Sequence, residues 1–152
     1  MAIYPDFKEL FECFNAKKVE YVVVGAYALA HHGAVRATKD IDLYVRPSVE
    51  NSERIMAALG VFGFRPEELN AKDFQREGQI LQIGYPPVRV DIITSIAGVT
   101  WEQADAGKSA GNYGGEPVPF IGRDEFIASK KATGRPQDIA DVEHLVGPKK
   151  NV

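Results

Sequence analysis

The feature that most constrains the fold is a continuous apolar, β-prone run, Tyr21–Val24, which ends at Gly25. A run of this kind without polar alternation is typical of a strand that is buried on both faces of a sheet. Residues 26–32 are good helix formers, and Gly33 then stops the helix. A buried strand followed directly by a helix predicts an α/β architecture, with a mixed β-sheet and helices packed on it.

Hydrophobic periodicity and turn residues predict the other elements. The predicted helices cover residues 6–17, 26–32, 48–59, 124–133 and 136–146, and the predicted strands cover residues 19–25, 40–45, 80–85 and 88–94. The last two strands are joined only by Pro86-Pro87, so an antiparallel pair is the simplest arrangement. Residues 64–74 have no clear pattern, and residues 106–119, rich in Gly and Pro, predict a loop with at most a short edge strand. The predicted order is α-β-α-β-α-β-β-α-α.

Length and composition favour a single domain over residues 1–152. A chain of 152 residues, 45% hydrophobic and 26% charged, is typical of a globular protein with one core. The net charge of −3 argues against binding nucleic acid over the whole surface, although it leaves room for a local phosphate site. The beginning of the chain lacks the pattern of a signal peptide, and the apolar runs are too short to span a bilayer. We therefore expect a cytoplasmic protein without a membrane partner.

Three aspartates form the candidate site. Asp40 and Asp42 are separated by one residue in a predicted strand, so they point to the same face, about 7 Å apart at Cα. Asp91 lies in another apolar run, where a lone acid is costly unless it is paired, hydrogen-bonded or bound to metal. If the two strands are neighbours, the carboxylates form one patch that a divalent cation would neutralise. The Asp40/Asp42 spacing alone is more often that of a solvated strand end than that of a metal site.

The Gly25 turn is a candidate phosphate-binding site, because a helix N-terminus after a glycine exposes N–H groups that can hold a phosphate. Gly25 lies fifteen residues before Asp40, and the intervening segment ends Arg36-Ala-Thr38-Lys-Asp40-Ile-Asp42. This combination, with the third carboxylate Asp91, resembles the DNA polymerase β-type nucleotidyltransferase superfamily. It is most similar to the small bacterial members, which include minimal nucleotidyltransferases and abortive-infection-type toxins. Residues 130–141 are similar to the C-terminal Lys…Gly-Arg…Asp…Asp element of these members, so the resemblance covers about residues 19–145.

The resemblance implies a nucleotidyltransferase fold and a reaction. A nucleoside monophosphate would move from a nucleoside triphosphate, such as ATP, to a hydroxyl acceptor, and pyrophosphate would leave. The implied catalytic and metal residues are Asp40, Asp42 and Asp91, which would hold two Mg²⁺ ions, or Mn²⁺. The implied nucleotide-binding residues are Gly25, Ala26, Arg36, Thr38, Lys130 and Arg135. The acceptor, whether a small molecule, a protein or a tRNA, cannot be identified from the sequence.

Other interpretations stay open. Lys130 also fits an exposed lysine near the end of a helix, and Arg135 also fits a charge network with Asp138 and Asp141 that docks the last helix. The family's turn usually has Gly or Ser where this chain has Ala26, which offers an N–H but no hydroxyl. A catalytically inactive nucleotide- or metal-binding module, or a partner subunit, is therefore an alternative. The similarity to abortive-infection-type toxins also suggests the toxin of a toxin–antitoxin pair that modifies tRNA. The acidic chain, without an extended basic stripe, gives this interpretation little support.

Overall fold

The computed structural model describes residues 5–34, 40–85 and 88–147. Arg36, Thr38 and the Pro86-Pro87 link lie outside these residues. The α-helices in the described ranges are α1 (Pro5–Ala16), α2 (Gly25–His31), α3 (Val49–Phe62), α4 (Trp101–Gly107), α5 (Arg123–Thr133) and α6 (Pro136–Val146). The strands are β1 (Tyr21–Val24), β2 (Asp40–Val45), β3 (Ile80–Tyr85), β4 (Val88–Ile93), β5 (Ser109–Tyr113) and β6 (Glu116–Phe120). None of these helices is both long enough and apolar enough to cross a membrane.

The strands form one mixed sheet in the order β3-β4-β2-β1-β6-β5. Strand β2 runs antiparallel to β1 and parallel to β4, and β3 and β4 form the antiparallel pair that the sequence predicts. On the other side, β6 runs parallel to β1 and antiparallel to β5. All four residues of β1 are buried, as expected of a strand covered on both faces. The predicted α/β architecture, with a mixed sheet and packed helices, is confirmed.

Helix α1 packs into the core through aromatic side chains. Phe11 is fully buried, and its ring stacks on Tyr21 of β1 with 6.1 Å between ring centroids. The same ring meets the edge of Tyr113 of β5 at 5.5 Å. Such ring pairs add about 0.5–1.5 kcal/mol to the stability gained from burial alone. The helical spacing of the Phe residues therefore joins the first helix to both a central and an edge strand.

The prediction for residues 106–119 was wrong, because this stretch completes α4 and then forms the β5–β6 hairpin. Helix α4 begins at a capping box, in which the Thr100 hydroxyl accepts from the Gln103 N–H at 3.2 Å and Gln103 Oε1 accepts from the Thr100 N–H at 2.9 Å. The hairpin turns at Gly114 and Gly115, whose φ angles are +57° and +91°. Two-residue hairpin turns need this left-handed conformation, so the two glycines belong to a tight turn and not to a loop.

Helix α3 extends to Phe62, three residues beyond its predicted end. A single glycine inside a helix costs only about 1 kcal/mol relative to alanine, so Gly60 does not end α3. Gly63 ends it instead, with a φ of +132° that side-chain-bearing residues rarely adopt.

The aromatic packing around α1 predicts a large effect of truncation. Phe11→Ala is expected to lower the free energy of unfolding by about 3–5 kcal/mol, because it leaves a cavity between α1 and two strands. The measurement is urea unfolding followed by circular dichroism. Val61→Ala, at a position that is 63% exposed on α3, is the control and should change stability by no more than about 0.5 kcal/mol. A similar small loss for both variants would contradict this description of the core.

Candidate active site

Four charged side chains stand on one face of two neighbouring strands. The parallel register of β2 and β4 places Asp40 beside Arg89 and Asp42 beside Asp91. In both strands the intervening residue points the other way, so that Ile41 is fully buried. The structure thus brings the three predicted aspartates together on a common face, and it adds an arginine to them.

Asp42 is a largely buried member of this group. Burial, the charge of Asp91, a hydrogen bond with Asp91 and the charge of Asp40 together raise the pKa of the Asp42 carboxyl to about 6, whereas the charge of Lys130 opposes the rise. Asp91 is also largely buried, with 15% of its side chain exposed. Neighbouring buried carboxylates cannot both carry an uncompensated charge at low cost. They therefore need either a shared proton or a cation.

The side chains offer oxygen donors of the kind that Mg²⁺ and Mn²⁺ prefer. Asp91 Oδ1 is a buried oxygen without a hydrogen-bond partner, which marks a place for a further positive group. As they stand, however, the described residues include no group of three His, Cys, Asp or Glu side chains arranged to hold a metal ion. Arg89 gives the physical reason, because its Nη2 lies 3.2 Å from Asp40 Oδ2 and engages that carboxylate. Asp42 and Asp91 thus fit a metal site directly, and Asp40 fits it once Arg89 releases its carboxylate.

The Gly25 turn is built against Asp42. Val24, the last residue of β1, is the register partner of Asp42, so the turn that follows passes beside the Asp42 carboxylate. Gly25 has a φ of +69°, and a Cβ at this position would overlap Asp42 Oδ2. Both the backbone conformation and the close approach of the carboxylate therefore require glycine here. The next residue, Ala26, is buried at the start of α2.

A cavity of about 320 Å³ opens beside Asp42. Among the residues predicted to form the site, Gly25, Asp42, Lys130 and Arg135 line it. Apolar side chains from β3, β4, the following loop and α5 complete the wall; they include Ile80, Ile93, Ile96 and Phe126. The cavity therefore has both charged and apolar side chains in its wall, which suits an amphipathic ligand.

Lys130 is a partly buried cation in this wall, with only 18% of its side chain exposed. Its Nζ lies 3.3 Å from Asp138 Oδ1 and 3.7 Å from Asp141 Oδ2, and both acids are fully buried. The interpretation of Lys130 as an exposed lysine at a helix end is therefore wrong. Its ammonium is held by carboxylates on one side and faces the cavity on the other.

Arg135 and Asp138 form the charge network that docks α6. Arg135 Nε donates to Asp138 Oδ2 at 2.8 Å, and the Thr133 hydroxyl donates to the same oxygen at 2.7 Å. These hydrogen bonds, Arg135 first, hold the pKa of Asp138 well below its usual range. Helix α6 buries Asp138 and Asp141 while it exposes apolar Ile139 and Val146. Ionic contacts thus position this helix together with the apolar packing of Leu145.

The sequence prediction missed Arg89, although a signal was available. Arg89 and Asp91 are two residues apart in a strand and must therefore share a face. The parallel partner of Arg89, which completes the cluster, depends on the strand order and could not be inferred from the local sequence. For Arg36 and Thr38 the predicted role stays a prediction.

Solved structures share this fold. TM1012 of Thermotoga maritima, provisionally assigned as a nucleotidyltransferase, superimposes with a TM-score of 0.63 at 15% identity, over 93% of this chain and 93% of that one. The lincosamide antibiotic adenylyltransferase LnuA, solved with lincomycin bound, gives a TM-score of 0.56 at 14% identity, over 97% of this chain and 99% of that one. The sequence matches no family model and no curated protein. The structural similarities confirm the predicted nucleotidyltransferase fold.

The buried network of α6 predicts a stability change that depends on pH. Asp138→Asn is expected to lower the free energy of unfolding by about 3 kcal/mol at pH 7, because it leaves the mostly buried Lys130 ammonium without this carboxylate. The folded-state pKa of Asp138 is depressed, so its contribution is full above the unfolded value of about 4 and is lost as the pH falls below it. The difference between wild type and variant should therefore shrink as unfolding is followed by urea titration from pH 7 to pH 3.

Asp105→Asn is the matched control, because Asp105 also pairs with a cation three residues away, Lys108, but in an exposed position. Asp105→Asn should lower the free energy of unfolding by less than about 1 kcal/mol. Equal losses for the two variants, or a gap that stays constant with pH, would contradict the role assigned to Asp138.

Proposed function

We propose that the protein is a magnesium-dependent nucleotidyltransferase. It would transfer a nucleoside monophosphate from a nucleoside triphosphate, with ATP as the first to test, to a hydroxyl group of an acceptor. The observation that carries this proposal is the pairing of Asp42 with Asp91 across two parallel strands, with Asp42 in the wall of a cavity that Lys130 also lines. The nucleotidyltransferase fold supports it.

In this proposal Asp40, Asp42 and Asp91 are the metal residues, with two Mg²⁺ ions expected and Mn²⁺ as a substitute. Divalent ions in such a site neutralise the carboxylates and stabilise the attacking and leaving oxygens of an in-line displacement. The all-oxygen donor set supports this assignment. The raised pKa of Asp42 supports it as well, because burial and the neighbouring acids disfavour the charged form that a cation would stabilise.

The protein's own groups would bind and orient the triphosphate. Lys130 offers a positive charge at the cavity wall, and Arg135 lies at the same cavity with 71% of its side chain exposed. The backbone at Gly25 and Ala26 is proposed to approach the phosphates, where no side chain at position 25 intervenes. Arg36 and Thr38 keep their proposed nucleotide-binding role on the family resemblance alone.

The proposed reaction is a substitution at the α-phosphorus. The acceptor oxygen forms a bond to this phosphorus while the bond to the bridging oxygen of the β-phosphate breaks, and pyrophosphate leaves. Asp91 is proposed to take the proton of the attacking hydroxyl. Its buried oxygen without a hydrogen-bond partner supports this role, since that oxygen has acceptor capacity left.

The volume of the cavity limits the size of the acceptor. Its volume of about 320 Å³ lies at the lower end of the range for small-ligand sites, so it suits part of a nucleotide and leaves little room for a large acceptor. LnuA, which has the same fold over nearly the same length, is a lincosamide adenylyltransferase. We therefore propose a small hydroxyl compound as the acceptor class to test before a protein or a tRNA.

An inactive nucleotide- or metal-binding module, or a partner subunit, is the second candidate. Ala26 favours it, because it brings no hydroxyl to the turn where the family has Gly or Ser. Arg89 favours it as well, because it engages Asp40, a residue that the reaction would need for metal.

The deciding experiment is incubation of the protein with labelled nucleoside triphosphates, Mg²⁺ and a cell extract, with fractions of small molecules, proteins and tRNA as separate acceptors. Wild type is expected to label one fraction and to release pyrophosphate, and Asp42→Ala is expected to reduce both to background. Asp105→Ala, at an exposed site, is the control and should behave as wild type. Equal labelling by wild type and Asp42→Ala would refute the catalytic assignment. Nucleotide-dependent thermal stabilisation without pyrophosphate release would favour the inactive module.

The close approach of Gly25 to Asp42 gives a second test. Gly25→Ala is expected to displace the Asp42 carboxylate, and so to reduce transfer far more than it reduces stability. Gly115→Ala is the matched control, because Gly115 also has a positive φ but has open space around the position of a Cβ. Both variants should lose about 1 kcal/mol of stability from backbone strain, measured by thermal unfolding. Similar activities of the two variants would argue against the importance of this contact.

A further inference from the structure

Arg89 stands within the carboxylate group and has no role in the function proposed above. It shares a sheet face with the three aspartates, as the register partner of Asp40 and two residues before Asp91. Its side chain is 33% exposed, so the guanidinium lies partly within the protein. The geometry of the sheet therefore directs this cation to the acids.

The two contacts of Arg89 differ in kind. Its Nη2 lies 3.2 Å from Asp40 Oδ2, within hydrogen-bonding distance. Its Nε lies 3.8 Å from Asp91 Oδ1, and both of these buried atoms lack a hydrogen-bond partner. A buried donor and a buried acceptor that face each other without bonding are costly to maintain. Such an arrangement indicates a contact that attracts by charge alone and yields readily to a better partner.

The charges of the four side chains point to that partner. Three carboxylates and one guanidinium sum to a formal charge of −2, which a single divalent cation would balance. A guanidinium has only N–H donors, and it and a divalent cation repel each other when both lie at the same carboxylates. A divalent cation needs those same oxygens as ligands.

We propose that Arg89 is a built-in counter-ion of the carboxylate site. It holds Asp40 and Asp91 while no divalent cation is bound, and the cation displaces its guanidinium when it binds. Arg89 thereby keeps the acids from repelling one another, and it weakens the binding of metal in the absence of nucleotide. This inference rests on the proposed metal-dependent function for its setting, but its test uses the metal alone.

The opposite role, in which Arg89 orients the carboxylates for the metal, predicts the opposite sign. Removal of a competing counter-ion strengthens metal binding, whereas removal of an orienting residue weakens it. Mn²⁺ is a suitable probe because its free form is measured directly by electron paramagnetic resonance.

The experiment is a titration of the protein with Mn²⁺ in the absence of nucleotide. Arg89→Met is expected to bind Mn²⁺ at least about tenfold more tightly than wild type, because one positive charge within a few ångströms of the cation is removed. Arg46→Met is the matched control, since Arg46 pairs with Glu20 just after β2, and its removal deletes the same charge elsewhere. The Mn²⁺ affinity of Arg46→Met should equal that of wild type. Adding Asp42→Asn to Arg89→Met should abolish the increase in Mn²⁺ affinity, which would place the affected metal site at the carboxylates.

Thermal unfolding gives an independent readout. Without metal, Arg89→Met should unfold at a lower temperature than wild type, and saturating Mn²⁺ should raise its midpoint more than that of wild type. If Arg89→Met does not fold, Arg89→Lys replaces it, because lysine keeps the charge but lacks the fork that engages two carboxylates. This variant should also bind Mn²⁺ more tightly than wild type.

Unchanged or weaker Mn²⁺ binding by the folded Arg89 variant would overturn the inference. If transfer is normal and the Mn²⁺ affinities are equal, the counter-ion role alone fails. If no nucleotidyl transfer occurs but Arg89→Met binds Mn²⁺ more tightly than wild type, the proposed activity fails and the counter-ion role stands. Absence of Mn²⁺ binding by both wild type and Arg89→Met would overturn both metal assignments.

Discussion

The candidate site depends on the parallel pairing of β2 with β4. This pairing fixes which side chains meet, because a register shift of one residue would turn Asp91 away from Asp42 and bring Val90 to the site face. The alternation of strands then buries Ile41 and Ile92 on the opposite face, so the apolar core enforces the register. The same contacts that stabilise the sheet therefore assemble a group of like charges that no local interaction would favour.

That arrangement explains why much of the fold, but only part of the site, could be predicted from the sequence. The buried strand β1 and the helices around it follow from local patterns, and α6 was predicted to the residue because Pro136 and Gly147 mark its ends. Asp40 and Asp42 follow from strand alternation alone. The prediction failed for the β5–β6 hairpin, because glycine-rich composition was interpreted as loop and the two-residue turn at Gly114 was missed. Arg89 was missed because its role depends on a strand that is distant in sequence.

Polar interactions also position the cavity wall opposite the sheet. Lys130 and Arg135 lie where the buried acids of α6 hold them, while two apolar side chains of that helix, Ile139 and Val146, are exposed and Leu145 packs against the core. Ionic and apolar contacts therefore both hold this helix in place. The charge network of α5 and α6 thus gives one explanation for four charged residues of the C-terminal motif, and it links the stability of this region to the electrostatics of the cavity.

The contact between Gly25 and Asp42 has a genetic consequence. Every single-base change in a glycine codon that replaces glycine with another amino acid introduces a Cβ, which would meet the same carboxylate oxygen. Shortening or moving Asp42 to make room would in turn remove a member of the acidic group. Neither position can change first without loss, so a viable lineage would have to alter both together, and this pair is expected to be among the slowest parts of the chain to diverge.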